Sequence, residues 1–214
     1  MRSGRMKNVF VVDHPLVQHK LSLMRRKETP SSEFRRLLRE VAPLLLYEAM
    51  RDADVEFRDI ETPVTTMQAP FLAGKKPCIV PVLRAGLGFA DAMVDIAPFV
   101  RVGHLGVYRD PETHQAVEYF YKMPPDMGSR LVILVDPMLA TGNSATAALM
   151  RLTEKGAVRL KLICLLASPE GLRKVGEAFP DVAIYTGAVD RGLTDHAYIT
   201  PGLGDAGDRL FGTA

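Results

Sequence analysis

The stretch LVILVDPMLATGNSATAALM, residues 131–150, decides the fold. Its first five residues are apolar without polar alternation, which predicts a strand buried on both faces, as in a parallel sheet. An acid and a short loop follow, and the segment from Ser144 to Lys155 has the character of a helix that ends at Gly156. A buried strand, a loop and a helix in this order predict a β-α unit.

The same alternation of short apolar strands and helices continues on both sides of this stretch. The predicted strands are Cys78–Leu83, Val102–Tyr108, Leu131–Val135, Leu160–Ala167 and Val182–Val189. The predicted helices are Gly88–Ala97, Ser144–Lys155 and Pro169–Phe179. We therefore expect an α/β fold with an open, mainly parallel sheet that is flanked by helices and joined by right-handed crossovers. Ligands of such sheets bind beyond the carboxyl ends of the strands, so the residues after each strand are the candidate site.

The 214 residues predict a single domain with four regions. Residues 1–57 are expected to be helical, because their apolar residues recur at three- and four-residue steps. Residues 58–74 favour strands, and their prolines suit an edge or an excursion rather than a central strand. Residues 75–190 are the predicted α/β core, and residues 191–214 are the C-terminal segment.

Composition excludes several classes of protein. Lys and Arg number 27 and Asp and Glu 25, so the net charge of +2 argues against a nucleic-acid coat or a polybasic membrane binder. Cys78 and Cys164 lie in apolar stretches and are expected to be reduced core thiols. No apolar run approaches the roughly 20 residues that span a bilayer, and the basic start lacks a signal-peptide core. A cytoplasmic location without a membrane or nucleic-acid partner is the expectation.

An acid, a glycine and small hydroxyl residues follow the central strand. Asp136 comes directly after it, and Thr141-Gly142-Asn143-Ser144 opens the helix. The backbone N–H groups of these four residues would be free donors in the first turn, and such a helix N-terminus is a natural phosphate site. Asp136 could hold sugar hydroxyls. An ordinary strand, turn and N-cap would use the same residue types, so the loop alone leaves both interpretations open.

Two arginines also stand at the ends of predicted strands. Arg84, followed by small residues, could present a bidentate fork to a diphosphate, although a surface arginine would look the same. Arg109 opens the long excursion Asp110–Gly128, which predicts a functional lid or a mobile loop. The aromatic run Tyr119-Phe120-Tyr121 inside it could contact a ligand, the body of the protein or a partner subunit.

These motifs together resemble a known family. Val135–Ala145 resembles the loop that binds 5-phospho-α-D-ribose 1-diphosphate (PRPP) in the type I phosphoribosyltransferases, and its Asp-Pro pair is similar to the uracil phosphoribosyltransferases in particular. The resemblance covers essentially the whole chain and includes Val82–Gly88, Tyr108–Asp110 and Tyr198–Arg209. Asn143 departs from the pattern, because glycine is usual there.

The resemblance implies the reaction of uracil with PRPP to give UMP and diphosphate, a step of pyrimidine salvage. The catalytic residues it implies are Arg84, Arg109, Asp136 and Asp205. The PRPP-binding residues it implies are Arg84, Arg109, Asp136, Pro137, Met138, Leu139, Ala140, Thr141, Gly142, Asn143, Ser144 and Asp205. The uracil-binding residues it implies are Tyr198, Ile199, Gly204, Asp205 and Ala206. The implied cofactor is Mg²⁺, bound mainly through PRPP, with no firm protein ligand.

Roles follow from the chemistry of this reaction. Arg84 and Arg109 would offset the charge of the departing diphosphate, and Asp136 would hold the ribose hydroxyls. Asp205 would contact the ribose or the N1 proton of uracil, and the sequence leaves both roles open. The C-terminal segment would form a hood whose backbone groups match the edge of uracil, with glycines that let the main chain come close.

The resemblance also implies an assembly and leaves alternatives. It makes residues 58–74 a dimerisation arm of a homodimer or a higher even oligomer, and it makes GTP a candidate activator. An RNA-binding regulator of pyrimidine operons on the same fold is one alternative, but it would need a basic face that the balanced charge does not favour. Transfer to another base, such as a purine or orotate, is the other, and the uracil-like C-terminal segment disfavours it.

Overall fold

The computed structural model describes residues 8–109 and 116–213. Helices and strands alternate along most of this chain. In order they are β1 (Val9–Val11), α1 (Pro15–Arg25), α2 (Ser31–Ala49), β2 (Val55–Glu61), β3 (Thr66–Leu72), β4 (Cys78–Pro81), α3 (Gly86–Ile96), β5 (Arg101–Val102), β6 (His104–Arg109), β7 (Ala116–Lys122), β8 (Leu131–Val135), β9 (Met138–Leu139), α4 (Asn143–Glu154), β10 (Arg159–Ala167), α5 (Pro169–Ala178), β11 (Ala183–Val189), β12 (Gly192–Leu193), β13 (Ile199–Thr200) and α6 (Ala206–Phe211).

A parallel sheet with the strand order β1-β11-β10-β8-β4-β5 forms the centre, and β9 adds to β10 beyond the end of β8. Every strand pair in this sheet is parallel, with Ile133 of β8 opposite Ile79 of β4 and Lys161 of β10. The four residues Val132–Val135 are completely buried. The expectation of an open parallel sheet with doubly buried central strands is therefore confirmed.

Helices cover both faces of the sheet, and alternate residues of each strand face opposite layers. Ile133 packs into the core formed with α1, α2 and α3. Its neighbours Val132 and Leu134 pack into a second core formed with α4 and α5. Each layer buries the apolar stripe of its helices, which is the main stabilising contribution to such a fold. In the described part of the chain no helix has the length and hydropathy needed to cross a bilayer.

The predicted strand Val102–Tyr108 is divided into two strands at Gly103. β5 pairs with β4 in the central sheet, and β6 pairs antiparallel with β7. Leu105 of β6 still forms a parallel bridge with Val82, directly after β4. A β-carbon on Gly103 would collide with the sulfur of Met123. The sequence of Val102–Tyr108 could not show this division, because the residues on both sides of Gly103 are equally typical of a strand.

The N-terminal region is not helical throughout. β1 lies at the edge of the central sheet, where Val9 pairs with Ile184 and the Phe10 ring stacks on Tyr185 at 4.8 Å. Three residues are too few to show a period, which is why the sequence analysis placed them among the helices. The hairpin β2–β3 begins at Val55, three residues before the predicted start of the arm. Because β1 belongs to the central sheet, that sheet includes a strand outside the predicted core of residues 75–190.

Both cysteines are buried free thiols, as expected. Burial raises the pKa of Cys78 to about 11 and the pKa of Cys164 to about 12. The thiolate is the reactive form of cysteine, so both groups are inert at neutral pH.

Candidate active site

The loop between β8 and α4 occupies the centre of the carboxyl edge of the sheet. Gly142 is the N-cap of α4 with φ +77°, and the first intrahelical hydrogen bond runs from the Thr146 N–H to the Gly142 carbonyl at 2.9 Å. The N–H groups of Asn143, Ser144 and Ala145 consequently precede the helical ladder, and no acceptor within the helix is available to them. The helix begins one residue earlier than predicted. The Asn143 N–H donates to the Thr141 hydroxyl at 3.4 Å, so it is not the free donor that was predicted.

The loop before Gly142 is fixed to its neighbours by buried groups. The Pro137 carbonyl accepts hydrogen bonds from the N–H groups of Leu165 and Leu166, at 2.9 and 3.1 Å. Met138 and Leu139 form β9 on β10, and Leu139 is buried. The apolar members of the predicted PRPP loop therefore hold the loop on β10. Its Asp136 and Met138 N–H groups are also paired within the protein, with the Ile163 carbonyl and with Asp136 Oδ1.

The N-terminus of α5 supports the same loop. The buried Ser168 hydroxyl donates to the Ala140 carbonyl at 2.6 Å and accepts from the Gly171 N–H at 2.9 Å. A β-carbon on Gly142 would lie 2.9 Å from the Gly171 carbonyl oxygen, and one on Gly171 would collide with the Ala140 carbonyl. Glycine is required at both positions because the two loops touch backbone to backbone.

Asn143 departs from the family pattern without strain. It occupies the first position of α4, and its φ does not lie in the left-handed region. Its side-chain oxygen accepts a hydrogen bond from Nζ of Lys174, a residue of α5. Lys174 lies close to the loop, because its Cβ would be 3.3 Å from a β-carbon built on Gly142. A ligand of the loop would therefore meet a cationic side chain at its rim.

Asp136 is a half-buried carboxyl group at the end of β8. Burial raises its pKa to about 7, and a hydrogen bond from the Met138 N–H, 3.2 Å from its Oδ1, opposes this rise. The Asp136 carboxyl group therefore titrates near neutral pH. Such a carboxyl group can accept hydrogen bonds from two neighbouring hydroxyls when it is ionised.

Arg84 follows β4 and reaches towards the C-terminal helix. Its guanidinium lies 4.0 Å from the Asp208 carboxylate and 5.9 Å from the centre of the Phe211 ring, and two thirds of the side chain (67%) is exposed. The Arg84 loop also approaches β8, because a β-carbon on Gly86 would lie 2.8 Å from the Val135 carbonyl oxygen. The structure thus brings together the ends of β4 and β8 and the start of α6.

The Arg109 side chain and residues 110–115 lie outside the described part of the structure. Arg109 is the last residue of β6, and its side-chain position stays a prediction. In β7, Tyr119 and Phe120 are exposed, whereas Tyr121 is half-buried with Lys155 Nζ 5.2 Å from its ring centre. Tyr121 thus packs against the body of the protein, one of the contacts that the sequence left open.

The predicted uracil segment forms a short hairpin, β12–β13, and the start of α6. Ile199 is buried in β13, and Tyr198 before it is exposed. Asp205 is an exposed N-cap whose Oδ1 accepts a hydrogen bond from the Asp208 N–H at 2.9 Å. Gly204 has φ +81° and is exposed, whereas Ala206 is buried. Asp205 therefore caps a helix, whatever else it does.

An ion pair outside the predicted site holds this segment. The two terminal nitrogens of Arg25 donate to the two carboxylate oxygens of Asp190, at 2.7 and 2.6 Å. Burial tends to raise the pKa of Asp190, but hydrogen bonds from Arg25 and the Gly202 N–H outweigh it and hold the pKa below its usual range. Asp190 directly follows β11, so the rule of inspecting strand ends could have found it. Nothing in the sequence singles out Arg25.

This arrangement of strand-end loops on a parallel sheet defines a type I phosphoribosyltransferase. The fold matches that of a hypoxanthine-guanine phosphoribosyltransferase from Bacillus anthracis, with a TM-score of 0.53 and 19% identity over 75% of this chain and 80% of that chain. The family model described as uracil phosphoribosyltransferase matches residues 11–213. The chain therefore belongs to the uracil phosphoribosyltransferase family.

Two further comparisons cover nearly the whole chain. The uracil phosphoribosyltransferase of Acidovorax sp. (strain JS42) is 56% identical over 208 residues, which are 97% of this chain and 100% of the relative. A solved structure from Aquifex aeolicus is 35% identical, with a TM-score of 0.89 over 96% of this chain and 99% of that chain. The described architecture is thus shared with the Aquifex aeolicus protein over nearly the whole chain.

The raised pKa of Asp136 predicts a pH-dependent gain in stability when its charge is removed. The folded protein binds the proton more tightly, so the group's stabilising contribution is complete below its unfolded pKa of 3.8 and is lost as the pH rises through about 7. Asp136→Asn should therefore raise the free energy of unfolding at pH 8, and by much less at pH 4.5. Urea denaturation at the two pH values measures this difference.

Asp126→Asn is the control with the opposite sign. The Lys75 ammonium, together with Arg130, holds the pKa of Asp126 below its usual range, so the ionised carboxylate stabilises the fold. Its replacement should lower stability at pH 8. An equal gain for Asp136→Asn at both pH values would contradict the burial argument.

Proposed function

We propose that this enzyme transfers the phosphoribosyl group of PRPP to N1 of uracil and releases diphosphate. The observation that carries this proposal is the contact between Arg84 and α6, since it joins the predicted diphosphate loop to the predicted uracil segment. The predicted PRPP loop starts beside the same residues, since a β-carbon on Gly86 would lie 2.8 Å from the carbonyl oxygen of Val135, the last residue of β8. A phosphorylated sugar bound at the predicted PRPP loop would therefore have its anomeric carbon facing a base bound at the predicted uracil segment.

The reaction requires the protein to position both substrates and to neutralise the charge of the leaving diphosphate. The bond from C1 of the ribose to the diphosphate oxygen breaks, a bond from C1 to N1 of uracil forms, and the N1 proton leaves. The N–H groups of Thr141–Ser144 would hold the 5′-phosphate, and Asp136 would hold the ribose hydroxyls. Arg84 and Arg109 would offset the charge that grows on the diphosphate. Asp205 would contact the ribose or accept the N1 proton.

The proposed magnesium ion would come with the substrate. Mg²⁺ keeps its waters and favours phosphate oxygens, so PRPP would supply most of its ligands. The bound ion would withdraw charge from the diphosphate as it leaves. Asp136 and Asp205 are the carboxylates that this chain offers near such an ion.

Backbone groups would select the base. The main-chain groups of Ile199, Gly204 and Ala206 would match the edge of uracil, which carries alternating acceptors and a donor. Cytosine would place an amino group against a donor, which leaves buried groups unpaired and costs affinity. We place this enzyme in the cytoplasm, consistent with its two free thiols and its phosphorylated substrate.

The test is conversion of radiolabelled uracil with PRPP and Mg²⁺, with cytosine, hypoxanthine and orotate as comparators. We expect UMP from uracil alone and loss of activity after chelation of Mg²⁺. Addition of GTP to the same assay tests the activator that the family resemblance implies. A salt-dependent shift of pyrimidine-operon RNA without any UMP formation would favour the RNA-binding alternative.

Asp205→Asn should lower kcat about 10²-fold or more if Asp205 accepts the N1 proton. The fold should persist, because Asn is as good an N-cap for α6 as Asp. Asp195→Asn, an exposed change between β12 and β13 in the same C-terminal segment, is the matched control. A raised KM for PRPP with an unchanged kcat would assign Asp205 to ribose binding instead. Wild-type values of both constants would remove it from the site.

The hairpin β2–β3 supports the proposal of an oligomer. It consists of two antiparallel strands. Several of its apolar side chains are exposed in the described part of the chain: Val55, Phe57, Val64, Met67, Phe71 and Leu72. The exposed fraction is 64% for Phe57 and 91% for Val64. A groove beside the base of the hairpin is also apolar and is lined by Leu46, Met50, Ile96 and Phe99. Such surfaces mark contacts between proteins, and a second copy of this chain is the proposed partner.

Phe57→Arg should convert the oligomer into monomers, because a charge would be buried without a partner in the interface. Light scattering and sedimentation measure the mass. Met150→Arg, which also replaces an exposed apolar residue but lies on α4, should leave the mass unchanged. A wild-type chain that is monomeric at micromolar concentration would exclude the proposed arm.

A further inference from the structure

We infer that Arg25 and Asp190 are positioning residues for base recognition, because together they fix the backbone of Gly202 in the middle of the proposed uracil segment. This inference rests on the proposed function. Neither residue belongs to the predicted site, and neither needs to touch a substrate. Their effect would be on the geometry of Ile199 and Gly204, which lie on either side of Gly202.

Both polar backbone groups of Gly202 are held by the ion pair. The Gly202 N–H donates to Asp190 Oδ2 at 2.8 Å, and the Gly202 carbonyl accepts from Arg25 Nη1 at 2.8 Å. Asp190 is itself fixed, since its N–H donates to the Ala167 carbonyl at the end of β10 at 2.9 Å. The segment is therefore anchored to the rigid carboxyl edge of the sheet.

The position of Gly202 decides what can reach the Ile199 carbonyl. Gly202 has φ +61°, and a β-carbon on it would collide with that carbonyl oxygen. The hairpin uses the neighbouring carbonyls, because the Arg191 N–H donates to Thr200 and the Thr194 N–H to Tyr198. Alternate residues of a strand face opposite sides, so the Ile199 carbonyl points away from β12 and towards Gly202. Movement of Gly202 would change access to this acceptor.

A second contact ties the segment to the same end of α1. The Arg209 guanidinium donates to the Leu203 carbonyl at 2.9 Å, to the Arg26 carbonyl at 2.7 Å and to the Met24 carbonyl. Gly202 is thus bound directly to Arg25, and Leu203 is connected through Arg209 to Met24 and Arg26 at the C-terminus of α1. The end of this helix serves as the fixed reference for the base segment.

Asp190 is buried and Arg25 is partly exposed, and desolvation of such charges cancels part of their attraction. Well-packed apolar residues often stabilise a fold as well as an ion pair does. An apolar pair could not, however, donate to one group of Gly202 and accept from the other. The ion pair therefore fits a role in geometry better than a role in stability alone.

The test compares KM for uracil with KM for PRPP in variants of the ion pair. Arg25→Lys keeps the charge but loses the planar fork that reaches both Asp190 and Gly202. We expect it to raise KM for uracil about tenfold, to relax the preference for uracil over cytosine, and to leave KM for PRPP within about twofold. Asp190→Asn should act in the same direction and more strongly. Thermal stabilisation by PRPP with Mg²⁺ shows that each variant still folds.

Asp52→Asn is the matched control. Asp52 accepts a hydrogen bond from the buried Lys161 near the amino end of β10, at the opposite edge of the sheet. Its loss should lower the melting temperature and change neither KM. Equal rises of both KM values in Arg25→Lys, or an unchanged KM for uracil, would overturn the inference and leave the proposed function intact. A wild-type enzyme that does not use uracil would overturn both.

Discussion

The double burial of the central strands constrains the rest of this molecule. Val132–Val135 of β8 and all of β4 are buried, so helices have to cover the sheet on both sides. Parallel strands covered in this way are joined by helical crossovers, and each crossover brings the chain back to the same starting edge. The loops after β4, β8, β10 and β11 therefore emerge together at the opposite edge, although they come from distant parts of the sequence.

Close approach of backbone to backbone shapes this edge more than side chains do. Gly86 lies against the Val135 carbonyl, Gly142 against Gly171, and Gly202 against the Ile199 carbonyl. A net charge of +2 is therefore compatible with a proposed site for a densely charged anion. The donors that such a site needs are peptide N–H groups and a few local cations, and neither contributes much to the total charge.

The sequence was sufficient for those features that have a period or a family motif. The parallel sheet followed from the apolar run at Leu131–Val135, and the loop after it followed from the acid and the glycine. β1 was not predictable because three residues show no period, and β6 was misassigned because its apolar run also suits a central strand. The Arg25–Asp190 pair joins residues that are 165 positions apart, and only the folded chain shows that they meet.

That separation has a consequence for the order in which the protein forms. The hydrogen bonds of Arg25 to Asp190 and to Gly202 close loops of 165 and 177 residues, which are among the most non-local contacts a chain of this length can make. Contacts of this kind form late, because the chain entropy lost in closing the loop is recovered only when the rest of the fold is in place. During synthesis α1 leaves the ribosome long before Gly202 does. The segment around Gly202 therefore acquires its shape only when it has met the end of α1.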